Sequence, residues 1–156
     1  MVFILLSLIE VEVHGLLNAG DGYIVVLSDK KSKSKFLTMT IGKTEGEAIM
    51  IAKESIMTPR PLTHELAFNL VKNLDGEISR IEIYDLRDGV YYAKIYLTKK
   101  TFIFKTQKVI DSRPSDAIAL ALRFNAKILV NEKLLEEIRI SPFEKIEEKR
   151  RRFFDI

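Results

Sequence analysis

The stretch Asp111–Phe124, read Asp-Ser-Arg-Pro-Ser-Asp-Ala-Ile-Ala-Leu-Ala-Leu-Arg-Phe, constrains the fold of this chain more than any other segment. It predicts a helix that is apolar on nearly every side, and such a helix must be covered by other elements. Its entrance carries Asp111, Ser112, Arg113, Ser115 and Asp116 to the mouth of a core. Orphan backbone donors and the positive end of the helix dipole favour an anion there. Capping accounts for part of this: Ser112 as N-cap, Pro114 in a first turn with no donor to lose, and Asp116 against the dipole. Arg113 is harder to explain, because a guanidinium near a positive helix end needs a carboxylate or phosphate to meet it.

At 156 residues, 47% hydrophobic and 30% charged, the chain suits one soluble domain with a sizeable core. The absence of cysteine excludes disulfides, thiolate nucleophiles and zinc ribbons, and fits a reducing cytoplasm. A net charge of +3 gives no whole-molecule argument for nucleic acid. The Lys, Arg and Glu content, with Gln107 the single glutamine, leans towards a thermophile-like composition. The apolar run Val2–Ile9 lacks a basic n-region and a cleavage site and reads as a buried strand, and no segment suits a bilayer span.

Along the chain, Ser7–His14 alternates as a half-exposed strand, with Ile9, Val11 and Val13 on one face. Tyr23–Leu27 and Phe36–Ile41 follow as strands of an antiparallel meander, joined by the basic loop Lys30–Lys35, whose simplest reading is a solvated turn. Thr44–Glu47 reads as a capping box opening a helix through Ser55. A second helix is expected from Thr63, with Thr63 as cap, Leu62 stapled on Ala67, and Gly76 as its stop. Strands Ser79–Leu86 and Val90–Leu97 flank Asp88-Gly89, the strongest hairpin signal, and another strand is expected at Phe102–Lys105. The Asp111 helix ends near Asn125 and feeds a strand at Lys127–Val130, expected to lie parallel to an earlier one. Asn131 caps a last helix, Glu132–Ile138.

Glu47, Ala48, Ile49, Ile51 and Ala52 echo Asp116, Ala117, Ile118, Leu120 and Ala121, which suggests a duplicated strand, strand, helix unit with Glu47 and Asp116 equivalent. The fold class is thus mixed α/β (α+β), a single domain over 1–140 built of antiparallel hairpins and packed helices. Residues 141–156 form a charged C-terminal tail, in which Phe143, Ile146 and Phe153 interleave with Lys149–Arg152.

The motif Asp111-Ser-Arg-Pro-Ser-Asp-Ala-Ile-Ala-Leu-Ala121 resembles the hallmark of the bifunctional nuclease family. Arg60-Pro-Leu-Thr-His-Glu-Leu66 resembles its second motif, and Ile41, Gly42 and Glu45 a weaker third. Glu65 stands where that family usually has aspartate, and Gly46 where it has alanine. The resemblance implies a compact mixed α/β domain, cleavage of RNA and DNA, and self-association into a homo-oligomer.

The residues supply the chemistry for that reading. His64 suits a general acid or base, because an unperturbed imidazole changes charge near neutral pH. Arg60 and Arg113, with Ser115, suit a substrate phosphate. Asp111 and Asp116, joined by Glu45 or Glu47, offer oxygen ligands for Mg²⁺ or Mn²⁺, so a metal-assisted nuclease with His64, Asp111 and Asp116 as its catalytic set is the expectation. His14 is given no role. The competing class is a non-catalytic regulatory or assembly module in which the same charges form a structural ion-pair network. Tyr92 and Tyr96, flanking Lys94 on one strand face, suit either base stacking or a packed interface.

Overall fold

The alternation that begins at Leu8 organises a sheet whose two halves have the same plan. A computed structural model describes residues 7–137 together with 144, 146 and 147. Strands β1 (Leu8–Asn18), β2 (Gly22–Asp29) and β3 (Lys35–Gly42) form an antiparallel meander that runs into helix α1 (Lys43–Lys53). After α2 (Thr63–Asn73), strands β4 (Gly76–Arg87), β5 (Val90–Lys100) and β6 (Lys105–Ser112) form a second meander that runs into α3 (Pro114–Phe124). Strand β7 (Lys127–Asn131) lies between the halves, antiparallel to β1 and parallel to β4, and β8 (Glu136–Glu137) extends the β3 edge. The sheet order is β6-β5-β4-β7-β1-β2-β3-β8. The α+β architecture follows the sequence pattern, and the repeated unit is three strands and a helix where two strands and a helix were expected.

The core lies between the sheet and the helices. Val11, Val25, Leu27, Ile81, Ile83, Ala93 and Ile95 face Ile49 of α1 and Ala117, Ile118 and Ala121 of α3. The small residues Ala117, Ala119 and Ala121, none of them exposed, let α3 sit close to its neighbours. Gly46 serves the same end on α1, because a Cβ there would overlap the Tyr23 ring. The sheet curls enough that Tyr91 on β5 shares a cavity with Phe36 and Leu37 on β3.

The hairpin at Asp88-Gly89 forms as expected, with φ of 49° and 76°. Asn125 closes α3 in the left-handed conformation. Other expectations are corrected. None of Ser112, Thr44 and Thr63 caps a helix: the N-cap positions are Arg113, Gly42 and Leu62, each without a side-chain cap bond. The Ser112 hydroxyl instead donates to the Arg113 carbonyl at 2.9 Å. Helix α1 stops at Lys53, and Ser55 takes a left-handed φ of 52°. Gly76 does not stop α2 but begins β4, with Asp75 supplying the left-handed residue between them. The strand expected at Phe102–Lys105 is a turn, and the strand itself is Lys105–Ser112, an edge exposed along nearly its whole length. The last helix is a single 3₁₀ turn, Glu132–Leu134, capped by Asn131 accepting from the Lys133 N–H at 3.2 Å. The buried-strand reading of the first six residues and nearly all of the tail lie outside the described residues. Among the described residues no helix is long and apolar enough to cross a membrane.

Candidate active site

Two helix entrances are brought together by the packing of α3 between α1 and α2. His64, in the first turn of α2, sets its Nε2 at 2.9 Å from Asp116 Oδ1 in the first turn of α3. A carboxylate only accepts, so Nε2 carries the hydrogen in this pair, and in the neutral imidazole Nδ1 is the acceptor. The second Asp116 oxygen accepts from Arg113 Nε at 2.8 Å. Arg113 Nη2 then reaches Glu45 Oε1, on α1, at 3.0 Å. A continuous chain His64–Asp116–Arg113–Glu45 therefore links all three helices.

Exposure rises from His64 to Arg113 and falls again at Glu45, which is 19% exposed. The His64 side chain is 12% exposed and Asp116 28%, whereas Arg113 is 67% exposed. Hydrogen bonding and charge from Asp116, with Glu45 behind it, hold the Arg113 guanidinium protonated above its ordinary range. Arg113 faces a cleft of about 280 Å³ between the end of β3, the β4–β5 turn and the start of α3, lined by Glu45, Gly89, Tyr91, Arg113 and Ser115. Glu45 folds back over Gly42, where any Cβ would meet its carboxylate. The arginine that capping could not explain is thus held by two carboxylates, one from its own helix and one from α1.

The remaining sequence candidates fall elsewhere. Asp111 lies on β6 opposite Lys94, and the period of the strand puts it on the sheet face turned away from the core residues Ala93 and Ile95. It is not part of the helix-entrance chain. Glu47 is exposed on α1, and the residue that meets Arg113 is Glu45, two residues earlier. Arg60 is exposed ahead of α2, its carbonyl accepting from the Thr58 hydroxyl at 2.8 Å. Ser115 is buried and lines the cleft. Tyr92 and Tyr96 are partly covered: Arg87 lies over the Tyr92 ring at 4.6 Å and Arg80 over Tyr96 at 3.7 Å. The lysines of the basic loop are largely committed, with Lys30, Lys33 and Lys35 bound to Glu10, Glu12 and Glu132.

The donor set was weighed against Mg²⁺ or Mn²⁺. Among the described residues no three His, Asp or Glu side chains gather as a metal group. Both Asp116 oxygens are already engaged, by His64 and by Arg113. The trio Asp111, Asp116 and Glu47 does not fit a protein-built metal cage.

One functional pairing was not foreseen. Glu65, the residue after His64, accepts from Arg123 Nε at 2.9 Å, and Arg123 also donates to the Ala119 carbonyl at 2.7 Å. The Arg123 side chain is only 7% exposed, so this is a largely buried clamp between α2 and α3, about two turns from His64–Asp116. Burial pushes the Glu65 carboxyl up, but the Arg123 hydrogen bond and charge outweigh it and hold it below its ordinary value. The longer glutamate arm in the second motif has a structural use: it reaches Arg123.

A curled mixed sheet thus carries a histidine, two carboxylates and an arginine joined in one network at three neighbouring helix entrances. A family profile described as the bifunctional nuclease domain matches residues 25–142, and the chain belongs to that family. An uncharacterized protein of Mycobacterium tuberculosis is 33% identical over 113 residues, covering 72% of this chain and 65% of its own. Bifunctional nuclease 1 of Oryza sativa subsp. japonica is 25% identical over 114 residues, covering 72% of this chain and 34% of its own. The chain thus spans less than two thirds of the length of these relatives.

Proposed function

We propose that this chain hydrolyses phosphodiester bonds of RNA or DNA, with His64 as the proton-transfer group. The observation that carries the reading is the His64–Asp116 pair with Arg113 bound to it at the mouth of a cleft. In the proposed step a water oxygen forms a bond to phosphorus and its proton passes to His64 Nδ1. The P–O ester bond breaks, the leaving alkoxide takes a proton from solvent, and His64 later returns its own. Asp116 orients the imidazole and stabilises the imidazolium. Arg113 and Arg60 offset charge on the phosphoryl oxygens, and Ser115 borders the same cleft.

The test is cleavage of end-labelled single-stranded RNA and DNA by purified protein, with Mg²⁺, with Mn²⁺ and with chelator, beside Asp116→Asn and His64→Ala carried through the same preparation. Cleavage by the unaltered protein that both substitutions remove is the expected result. Equal cleavage by all three proteins would assign the activity to a contaminant or another site. A second reading, an assembly module without catalysis, is favoured by one feature: Leu62, Leu66, Leu70 and Leu74 lie exposed at four-residue spacing along α2. Absence of cleavage under every condition, with a stable oligomer in sedimentation, would support it.

A further inference from the structure

A groove that plays no part in the chemistry above runs between α2 and the β5–β6 hairpin. Val71 and Leu74 on α2, Leu97 on β5 and Thr106 on β6 line a cavity of about 350 Å³, with Lys99 and Lys108 beside them. The two elements that wall the groove also carry or lead into residues of the candidate active site. Helix α2 has His64 in its first turn, and β6 runs directly into Arg113 and α3.

The other end of the groove is the hairpin turn. Thr101 closes it, its N–H donating to the Phe104 carbonyl at 2.8 Å and its hydroxyl oxygen accepting from the Phe104 N–H at 3.1 Å. The turn thereby holds Phe102 and Phe104 out in solvent, at 107% and 68% exposure. Around it stand Lys99, Lys100, Lys105 and Lys108, none of which forms an ion pair with a described carboxylate. This contrasts with the β2–β3 loop, whose lysines are tied to glutamates.

Unpaired cations call for an anionic partner, and exposed rings for a flat apolar one. A single-stranded nucleic acid offers both in every nucleotide, whereas a duplex hides its base faces in the stack. A lipid-inserting tip would keep its cations at one level around the apex. Here Lys99 and Lys108 line the groove on the face of Leu97, back from the apex, while Lys100 and Lys105 lie on the opposite sheet face. From Lys108 the strand runs about 17 Å to Arg113 at ~3.3 Å per residue. We infer that the α2–β6 groove and the Phe102–Phe104 turn bind single-stranded nucleic acid and lead it to the His64–Asp116 pair. The direction of this path rests on the nuclease reading, but the binding itself is measured apart from cleavage.

The test is fluorescence anisotropy with single-stranded oligonucleotides of about 20 nucleotides, in chelator, on the full chain carrying Asp116→Asn. Two further variants are compared, Phe102→Ser/Phe104→Ser and Lys99→Ser/Lys108→Ser, the latter removing the two cations that line the groove. The exposed rings make the first a safe variant for folding, which circular dichroism checks. Loss of the rings weakens binding about tenfold or more. Loss of the two lysines lowers the slope of log affinity against log salt by about 1.4. Unchanged affinity and slope in both variants overturn the inference. So does preferential binding to phosphatidylserine vesicles, or a change in sedimentation with oligonucleotide affinity unaltered, which would give the tip to a lipid surface or a second copy. Oligonucleotide binding that depends on these residues in a protein without cleavage activity sinks the nuclease reading and leaves the groove as a binding site.

Discussion

His64 on α2 and Asp116 on α3 meet at 2.9 Å across 52 residues of sequence, each in the first turn of its own helix. Their geometry therefore depends on how α2 sits against α3. The Glu65–Arg123 clamp fixes that same relationship from the adjoining residue of α2. Chemistry and support are neighbours in sequence on one helix and two turns apart on the other.

Asp116→Asn keeps the shape of the side chain but removes the charge that would stabilise the His64 imidazolium. Cleavage is expected to fall by a factor of ~10² to 10⁴, while the melting temperature stays within a few degrees of the unaltered protein. A fall in both together would make Asp116 a folding residue. The readout is kcat on a labelled oligonucleotide beside a thermal melt.

Arg123→Ala leaves the Glu65 carboxylate partly buried without its cation. The expected loss is about 3 kcal/mol, measured by urea unfolding. The pH dependence has a definite sign. Because the folded-state value of Glu65 lies below its ordinary 4.5, its stabilising contribution is present above that value and is lost as pH falls through the folded value. Glu65→Gln should remove that acid-side component of the stability profile, whereas an unchanged profile would assign the acid loss to other carboxylates.

Arg113→Lys replaces a fork that serves Asp116 and Glu45 at once with a single ammonium. The side chain is two-thirds exposed, so the stability cost is expected to stay under ~1 kcal/mol. The effect should appear in KM for the oligonucleotide, as a rise of about tenfold. A large loss of stability would place Arg113 among the residues that hold the fold.

Gly46→Ala would gain up to ~1 kcal/mol of helix propensity, but the new Cβ would overlap Tyr23 close to that residue's own Cβ, where a side-chain rotation gives little relief. A net loss of ~1 to 3 kcal/mol is expected. Denaturant unfolding of the variant, alone and combined with Tyr23→Ala, which removes the Cγ and ring atoms, reads it, and a smaller loss from Gly46→Ala in the Tyr23→Ala background would trace the loss to that contact.

Much of the sheet was legible because its signals are local. Asp88-Gly89 accepts the left-handed angles of a tight hairpin, and Val11 and Val13 alternate with Glu10 and Glu12 across one strand. Strand β6 was displaced towards the turn because Lys105–Ser112 is an edge exposed on both faces, so burial imposes no alternation. The error carried Asp111 with it: read as part of a helix entrance it joined Asp116, and read as strand it faces away. The two motifs named His64, Arg113 and Asp116, yet no periodicity could say that Asp116 takes both His64 and Arg113. Those contacts depend on how three helices pack. Arg123 carried no signal beyond a charge in an apolar helix, and a buried charge in such a place is itself a hint of a partner.

Strand β7 fills the gap between β1 and β4 although it is supplied after every strand it joins. A ribosome delivers the two meanders first, so until Lys127 emerges each presents an unsatisfied inner edge, one strand-width from the other. Insertion of five residues, Lys127–Asn131, then ligates both edges at once, the β1 side antiparallel and the β4 side parallel. The two half-sheets therefore have no hydrogen-bonded link until this strand is in place. Closure of the whole sheet should be set by how freely this one short strand can slot home.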